Sequence, residues 1–302
     1  MCTSLSLPTD GGRLFGRTLD LDAHFGERIT LSPRRYPFSF RDCYPLTRHY
    51  ALLGTATVID EYPLYAEAMN EKGLCMAGLR FAESAVYAPE PQEGRLNLAP
   101  WELIPYLLSI CATVDEVKDA LEGIWVWDRP FSEQVGTAPL HWHVTDADPS
   151  HSGLILEVTA AGMSLYPDEA GVLTNEPPYP RQLTALQDLT IPRGDVLGLS
   201  GDYSSPSRFL RAATLRRWWI EQENPCEGRD LAISQFFSIL GAVSPTVGAV
   251  TTPEGGCHRT LYTCCMDTAT GSYYRRTESE ISVSSVSLGS LDLHGEKVQM
   301  VD

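Results

Sequence analysis

The second residue of the chain is a cysteine, directly behind Met1. If Met1 is removed, Cys2 carries both a thiol and the free α-amine, so that a nucleophile and a base lie on one residue. An α-amine has an intrinsic pKa of about 7.7 to 8.0 and can exchange protons with the thiol, directly or through water, near neutral pH. The sequence therefore predicts a catalytic thiol that needs no separate base.

Two charged residues follow this cysteine at positions where they could assist it. The thiolate is the reactive form of a cysteine and is favoured by a nearby cation, which Arg17 would supply. Asp20 would accept hydrogen bonds from the α-amine and fix its orientation. On these residues alone, an ordinary cysteine beside a strand and a hairpin remains the alternative interpretation.

Composition limits the classes of protein to which the chain can belong. Its 302 residues are 43% hydrophobic, without low-complexity runs, repeats or long linkers, which predicts one globular domain spanning 1–302. The formal net charge of −16 disfavours nucleic acid and anionic lipid as partners. We find neither an apolar stretch of about 18 residues nor a basic segment followed by an apolar one at the start. We therefore expect a cytoplasmic protein without a membrane partner.

The remaining cysteines and two histidines could suggest metal or protease chemistry. No paired CxxC spacing occurs among the cysteines, which favours reduced, buried thiols; besides Cys2 they are Cys43, Cys75, Cys111, Cys226, Cys257, Cys264 and Cys265. His141 and His143 share a strand face, but no third ligand converges on them, so hydrogen-bonded histidines are favoured and no metal or cofactor is predicted. A cysteine–histidine pair stays possible, although nothing singles out one of the seven histidines as its base.

Alternating and apolar runs predict several short strands. They lie at 49–59, 74–81, 139–147, 153–158, 171–175, 259–267 and 271–277. Strand clusters towards both ends of the chain, with helices between them, indicate antiparallel sheets covered by helices, an α+β fold.

Helix signals are fewer. A capping box at Thr113–Glu116 opens a helix that ends near Gly123, and Ser205 with Pro206 fits the N-cap and first position of another. Asp230 opens a third helix. Proline-rich stretches at 33–45 and 89–100 predict long surface loops, the first of which should pack onto the protein through its aromatic residues. The segment 175–201 has no strong element and is predicted to be a mobile connection.

Six motifs along the chain resemble, in order and spacing, the choloylglycine hydrolase family. They are "MCT", "FGRTLDLD", "MNEKGLCMAGLRF", "GVLTNEP", "GDYSSPSRFLRAA" and "YTCCMDTATGSYYRRT". The family contains bile salt hydrolases and penicillin V acylases and belongs to the N-terminal nucleophile hydrolases. The resemblance covers nearly the whole chain and implies a four-layer αββα sandwich of two antiparallel sheets. It also implies hydrolysis of a linear amide through a covalent acyl-enzyme.

The resemblance assigns roles to individual residues. Cys2 matches the nucleophile, and Arg17 and Asp20 match the residues that hold it ready. Asn175 in "LTNEP" matches the side-chain donor of the oxyanion hole, and Arg208 in "SPSRF" matches the second arginine of the site. Without the flanking motifs, Asn175 would be interpreted as a turn residue and Arg208 as a solvated helix residue.

The chain departs from the family pattern at two places. Arg80 stands where the bile salt hydrolases carry asparagine, but the oxyanion contact there is made by a backbone N–H, which arginine retains. Its cationic side chain could attract a substrate carboxylate or sulfonate, or crowd the leaving group. The segment 175–201 is shorter than the arm that helps bile salt hydrolases to form tetramers, so a tetramer is not expected here.

The resemblance also points to an acyl pocket of bulky apolar residues, suited to a steroid or an aromatic group. These residues are Leu19, Phe25, Phe131, Val135 and Leu140, with core packing as the alternative for each.

We therefore expect a cysteine amidohydrolase that cleaves glycine- or taurine-conjugated bile salts. A penicillin V acylase, or an acylase for another N-acyl amide, is the alternative. A binding protein that retains Met1 and has no activity is a third possibility.

Overall fold

The structure is a computed structural model that describes residues 1–192, 198–222, 228–252 and 255–301. The strands are β1 Cys2–Thr9, β2 Gly12–Leu21, β3 Glu27–Ser32, β4 Leu52–Ile59, β5 Tyr62–Asn70, β6 Cys75–Arg80, β7 Leu96–Leu98, β8 Ile124–Val126, β9 Leu140–Thr145, β10 Gly153–Thr159, β11 Gly162–Asp168, β12 Val172–Leu173, β13 Val250–Thr251, β14 Cys257–Asp267, β15 Ser272–Thr277, β16 Ser284–Ser287 and β17 Gln299–Val301. The helices are α1 Leu103–Ile110, α2 Val114–Gly123, α3 Tyr179–Asp188, α4 Ser205–Ile220 and α5 Arg229–Gly241, with 3₁₀ turns at Pro100–Glu102 and Leu288–Ser290.

Two large antiparallel sheets form the centre of the molecule. The first has the order β12-β1-β2-β14-β15-β16, with β13 paired to β14, and the second has the order β11-β10-β9-β6-β5-β4-β3-β17. The chain enters the first sheet through the β1–β2 hairpin, where Thr9 pairs with Gly12. Gly11 in the turn has φ 79°, a left-handed conformation that glycine adopts without steric cost. This hairpin places the first residues of the chain inside the sheet.

Helices cover the outer face of each sheet. Phe209 of α4 and Phe236 of α5 share a buried cluster with Leu5 of the first sheet. On the other side, Leu107 of α1 packs in a second cluster with Trp142 of the second sheet. The four layers are therefore helix, sheet, sheet and helix, and the α+β sandwich expected from the sequence is confirmed.

Polar side chains link the two sheets across their inner faces. Ser4 Oγ of β1 lies 2.8 Å from His143 Nδ1 of β9. The hydroxyls of Tyr262 and Tyr273 donate to the Glu67 carboxylate of β5 at 2.7 and 2.8 Å. All five residues are at most 1% exposed. Because each buried polar group has a partner, these contacts are tolerated in the interior and fix how the sheets face each other.

The predicted strands are confirmed, and two predictions about helices are wrong. Ser204, not Ser205, caps α4, since its side chain accepts from the Ser207 amide. The segment 175–201 contains α3, whose first residue Tyr179 is 1% exposed; residues 193–197 of that segment lie outside the described residues. The sequence did not predict α3, because prolines interrupt the pattern of its short apolar face.

Other expectations are confirmed. The Thr113 side chain accepts from the Glu116 amide at the start of α2, which ends at Gly123, and Asp230 lies in the first turn of α5. The first proline-rich loop packs onto the core through buried aromatic residues, Tyr36, Phe38 and Phe40.

The described cysteines are free thiols, five of them buried and two partly buried; Cys226 lies outside the described residues. Within the described ranges, no helix combines the length and the apolar character that crossing a membrane requires.

Candidate active site

Cys2 begins β1 and is held between two neighbouring strands. It pairs with Leu19 across the hairpin, and β12 lies on the other side of β1. Cys2 is 3% exposed. The chain runs from β12 directly into Thr174 and Asn175, so the end of this strand delivers Asn175 beside Cys2.

The amide of Asn175 connects three parts of the site. Its Oδ1 accepts from the backbone N of Cys2 at 2.9 Å and from Nη2 of Arg208 at 2.7 Å. Its Nδ2 donates to the carbonyl of Arg80 at 2.8 Å. Two donors facing one atom identify that atom as the oxygen. An amide nitrogen carries two hydrogens, and among the described residues only the Arg80 carbonyl takes one, which leaves a donor for a bound oxygen.

Arg208 of α4 is fully buried and clamps the start of the chain. Its Nη1 donates to the carbonyl of Cys2 at 2.5 Å and to Thr3 Oγ1 at 2.7 Å. Its Nε donates to the carbonyl of Tyr203 at 3.0 Å. Burial lowers the pKa of Arg208, against the attraction of Asp20 and of the Cys2 thiolate. The guanidinium therefore fixes the Cys2 backbone relative to the helical layer.

Arg17 of β2 is buried between the sheets. Its Nη1 donates to the carbonyl of Gly78 at 2.5 Å, and its Nε lies 3.9 Å from the Glu67 carboxylate. Burial by itself would lower the pKa of Arg17, but attraction to the Cys2 thiolate and other negative groups outweighs it and raises that pKa. A permanent cation therefore lies where it favours a charged thiolate. Burial raises the pKa of Glu67, against the opposing effect of Arg17.

Asp20 is fully buried, and hydroxyl groups hold its carboxylate. Thr18 and Thr260 donate to its two oxygens at 3.0 and 2.7 Å. With Met1 in place, the α-amine donates to the main-chain carbonyl of Asp20 at 2.7 Å, and not to the carboxylate. Burial lowers the pKa of the Met1 amine. Asp20 thus lies beside the N-terminus, as the sequence predicts, but contacts it through the backbone.

An apolar cavity of about 350 Å³ adjoins this cluster. Phe25, Phe131, Val135 and Leu140 line it, together with Trp101, Tyr65 and other apolar residues. Leu19 is outside this lining, since it lies opposite Cys2 in the hairpin. Four of the five predicted pocket residues therefore surround one cavity.

The cavity wall touches the polar cluster at two points. The carbonyl of Ala66, a wall residue, accepts from Arg17 Nη1 at 3.4 Å. Leu140, another wall residue, is the cross-strand partner of Arg80. The Arg80 side chain is exposed, and no described residue forms a hydrogen bond or an ion pair with its guanidinium. The site therefore combines an apolar cavity, the Cys2 thiol beside hydrogen-bond donors, and the Arg80 guanidinium, which no described residue pairs with.

Sequence reasoning missed some of the residues that support the site. Ser205 Oγ accepts from the backbone N–H of Asn175 at 2.8 Å and donates to Thr174 Oγ1 at 2.9 Å. Glu67 lies behind Arg17, and Thr260 holds Asp20. Glu67 could have been found from the sequence, because it is a lone charged residue in an apolar run. The contacts of Ser205 and Thr260 depend on chain segments that are distant in sequence.

The two histidines of β9 are hydrogen-bonded core residues. Ser4, His143 and Asp168 form a chain of hydrogen bonds of 2.8 and 2.9 Å, but the three side chains are buried and lie outside the cavity lining. His141 contacts Glu157 at 3.2 Å. The described part of the chain contains no group of three or more potential ligands placed to hold a metal ion.

Comparison with known proteins gives a consistent result. The family described as "Linear amide C-N hydrolases, choloylglycine hydrolase family" matches residues 2–301. A bile salt hydrolase/transferase from Lactiplantibacillus plantarum is 36% identical over 308 residues, covering 95% of this chain and 92% of the relative.

Solved structures agree. A conjugated bile acid hydrolase variant from Clostridium perfringens superposes with a TM-score of 0.91 at 30% identity, covering 100% of this chain and 97% of the other. A penicillin V acylase from Agrobacterium tumefaciens, at 22% identity, shares the fold with a TM-score of 0.79, covering 99% of this chain and 90% of the other. With the N-terminal cysteine and its buried partners in place, the chain belongs to the choloylglycine hydrolase family of linear amide C–N hydrolases.

Proposed function

We propose that this protein hydrolyses the amide bond of glycine- or taurine-conjugated bile salts, with Cys2 as the nucleophile after removal of Met1. The observation that carries the proposal is the apolar cavity of about 350 Å³, whose wall residue Ala66 contacts Arg17 and whose wall residue Leu140 pairs with Arg80. A cavity of this size and character suits a bulky apolar acyl group. The relatives named as bile salt and conjugated bile acid hydrolases support this substrate class.

The first step forms an acyl-enzyme. The Cys2 thiol transfers its proton to its own α-amine, and Sγ bonds to the amide carbon. The carbonyl oxygen becomes an oxyanion, to which the second Nδ2 hydrogen of Asn175 and the Arg80 backbone N–H donate. Donors that are fixed before the reaction stabilise this charge without reorganisation. The contacts of Asn175 with Cys2, Arg208 and Arg80 supply that rigidity.

The second step releases both products. The protonated α-amine donates its proton to the amide nitrogen, the C–N bond breaks, and glycine or taurine leaves. Water then attacks the thioester with the same amine as base, which restores the Cys2 thiol and frees the bile acid. Arg17 stabilises the thiolate in both steps.

Arg80 would bind the far end of the leaving group. Conjugated bile salts end in a carboxylate or a sulfonate beyond the scissile amide. Arg80 ends β6 with an exposed side chain, and its backbone carbonyl contacts Asn175. Charge-assisted pairing with such a slender tail favours the conjugates over penicillin V, whose charge belongs to a bulky bicyclic leaving group.

The proposal extends to the working form of the protein. We propose that 1–302 acts as one catalytic domain in the cytoplasm without a cofactor, as a monomer or a dimer. The free thiols among the described cysteines support a reducing compartment.

A substrate panel tests the proposed function. Purified enzyme is incubated with glycocholate, taurocholate and penicillin V, and the released amines are quantified. We expect both conjugates to be cleaved with a higher kcat/KM than penicillin V, and Cys2→Ala to release nothing from any of them. If penicillin V is the better substrate, the bile salt assignment is wrong and the acylase alternative replaces it.

A further inference from the structure

A buried histidine–glutamate pair lies behind the oxyanion donors. His141 of β9 and Glu157 of β10 are at most 1% exposed. His141 Nδ1 is 3.2 Å from Glu157 Oε1, and its Nε2 is 2.9 Å from the carbonyl of Thr174. A carbonyl oxygen only accepts hydrogen bonds, so Nε2 carries a hydrogen. The imidazole thus donates to the residue immediately before Asn175.

The same ring also contacts the neighbour of the second donor. Phe81, which follows Arg80 in the chain, stacks on the imidazole with ring centroids 4.2 Å apart and an interplanar angle of 9°. Leu79, on the other side of Arg80, is the cross-strand partner of His141. One side chain therefore touches the flanking residues of both groups that would donate to the oxyanion.

Glu157 fixes the orientation of this ring. Its Oε1 accepts from the backbone N of Tyr179 at 2.9 Å as well as facing His141 Nδ1. Because Nε2 already carries a hydrogen, a second proton shared between Nδ1 and the carboxylate makes that contact attractive. The ring is held from both sides and cannot rotate without breaking a buried hydrogen bond.

We propose that His141, oriented by Glu157, is a positioning residue that holds Asn175 and the Arg80 peptide at the spacing that the oxyanion requires. The inference rests on the proposed amide hydrolysis at Cys2. His141 would contact neither substrate nor thiol, so its effect should fall on the chemical step. Loss of an oxyanion donor costs about 10²- to 10³-fold in kcat, and a displaced donor should cost part of that.

Two substitutions at one position separate positioning from general stability. In His141→Gln the amide nitrogen can occupy the place of Nε2 and still donate to the Thr174 carbonyl. In His141→Asn the shorter side chain reaches only the place of Nδ1, facing Glu157. We expect His141→Gln to retain kcat within about threefold and His141→Asn to lose about 10- to 100-fold, with KM for glycocholate unchanged in both.

Controls use the second histidine of the same strand and the thiol itself. His143 is equally buried but bonds to Ser4 and Asp168, so His143→Gln and His143→Asn should lower the melting temperature without differing from each other in kcat. Iodoacetamide should alkylate Cys2 in the His141 variants at the wild-type rate, because the thiol keeps its own partners. Equal kcat values for His141→Gln and His141→Asn would overturn the inference.

A second pair of variants, at Glu157, tests the same role if the His141 variants fold poorly. In Glu157→Gln the amide oxygen can take the place of Oε1, where it accepts from the Tyr179 backbone N and from a protonated Nδ1 and leaves the bond to Thr174 intact, whereas Glu157→Leu removes the orienting partner. We expect near-wild-type kcat for the first and a clear loss for the second. Equal losses would contradict the positioning role. A wild-type enzyme that cleaves none of the amides would instead refute the proposed function, and this role with it.

Discussion

Asn175 uses the two ends of one amide for different tasks. The oxygen end accepts from Cys2 and Arg208, while the nitrogen end donates to Arg80 and keeps a second hydrogen. Aspartate at this position could accept the first two bonds but could not donate to the Arg80 carbonyl, and in the proposed mechanism it would present a negative charge to the oxyanion. The residue type is therefore set by the need to accept and donate within about 3 Å of the same point.

The substitution Cys2→Ser tests whether this residue is the nucleophile. The variant should fold, because serine fits the buried site, yet it should lose most of its activity, since a hydroxyl is a far poorer nucleophile near neutral pH. Activity is measured on glycocholate, and an intact-mass spectrum of the wild type should lack Met1. The control Cys43→Ser, at a partly buried free thiol in a loop, should remain active. Near-wild-type turnover by Cys2→Ser, or active enzyme that retains Met1, would exclude the mechanism.

Arg80→Asn tests the leaving-group contact. The backbone donor stays while the cation is lost, so KM for glycocholate and taurocholate should rise about tenfold and kcat should change little. Arg80→Lys keeps the charge and should fall between the two. Steady-state kinetics on both conjugates provide the measurement. Unaltered KM values in Arg80→Asn would show that the side chain does not bind the substrate.

At the scale of elements, the start of α4 serves both stability and the site. Ser204 is exposed and caps the helix, whereas the hydroxyl of the neighbouring Ser205 accepts from the backbone N–H of Asn175. The two serines are adjacent in sequence but belong to different networks, which makes them a matched pair for mutation.

Ser204→Ala should cost about 1 kcal/mol of stability through the lost cap and leave kcat unchanged. Ser205→Ala should lower kcat about tenfold, because the backbone N–H of Asn175 loses its partner and the residue is held less firmly in position. Thermal unfolding and turnover are measured for both variants. If Ser204→Ala reduced kcat more than Ser205→Ala, the assignment of the cap and of the site contact would be reversed.

For the molecule as a whole, buried ion pairs such as His143 with Asp168 make stability depend on pH. Burial by itself would raise the pKa of Asp168, but His143, Arg216 and the Gly171 amide together outweigh it and lower that pKa. A depressed carboxyl pKa adds stability above the ordinary value of 3.8, and this stability is lost as the pH falls through the folded value.

Asp168→Asn should therefore lower the melting temperature at pH 6, and the gap to the wild type should narrow as the pH drops below about 3.8. Melting curves between pH 3 and 7 provide the measurement. Asp115→Asn, at an exposed carboxylate paired with Lys118, is the control and should shift the melting temperature little. A gap that stays constant over the whole range would contradict the role of Asp168.

The oligomeric state is also a property of the whole molecule. The short segment after Asn175 starts with α3, whose Tyr179 packs against Phe209 of α4 with ring centroids 6.2 Å apart. A segment anchored on its own chain offers little area to a partner, and stable assemblies commonly bury more than about 1,200 Å². We expect a monomer or a dimer in sedimentation velocity experiments. A tetramer that persists unchanged on dilution would refute this expectation.

Local patterns in the sequence predicted a nucleophilic cysteine with charged neighbours and most of the strands. A cysteine behind Met1, charged residues at positions 17 and 20, and alternating apolar runs are local patterns that need no knowledge of distant contacts. The resemblance of six motifs then implied the roles of Asn175 and Arg208. The same resemblance pointed to an acyl pocket, and four of the five predicted pocket residues line one cavity.

Contacts between distant parts of the chain set which polar groups support these residues. Glu67 faces Arg17, Ser205 meets Asn175, and His141 reaches Thr174, each across a gap of 30 or more residues. Such partners are selected by how the two sheets and the helical layer pack, which a local pattern does not encode. The same packing accounts for the cap of α4. The hydroxyl of Ser205 is bonded to Asn175 and Thr174, and the side chain of Ser204 caps the helix.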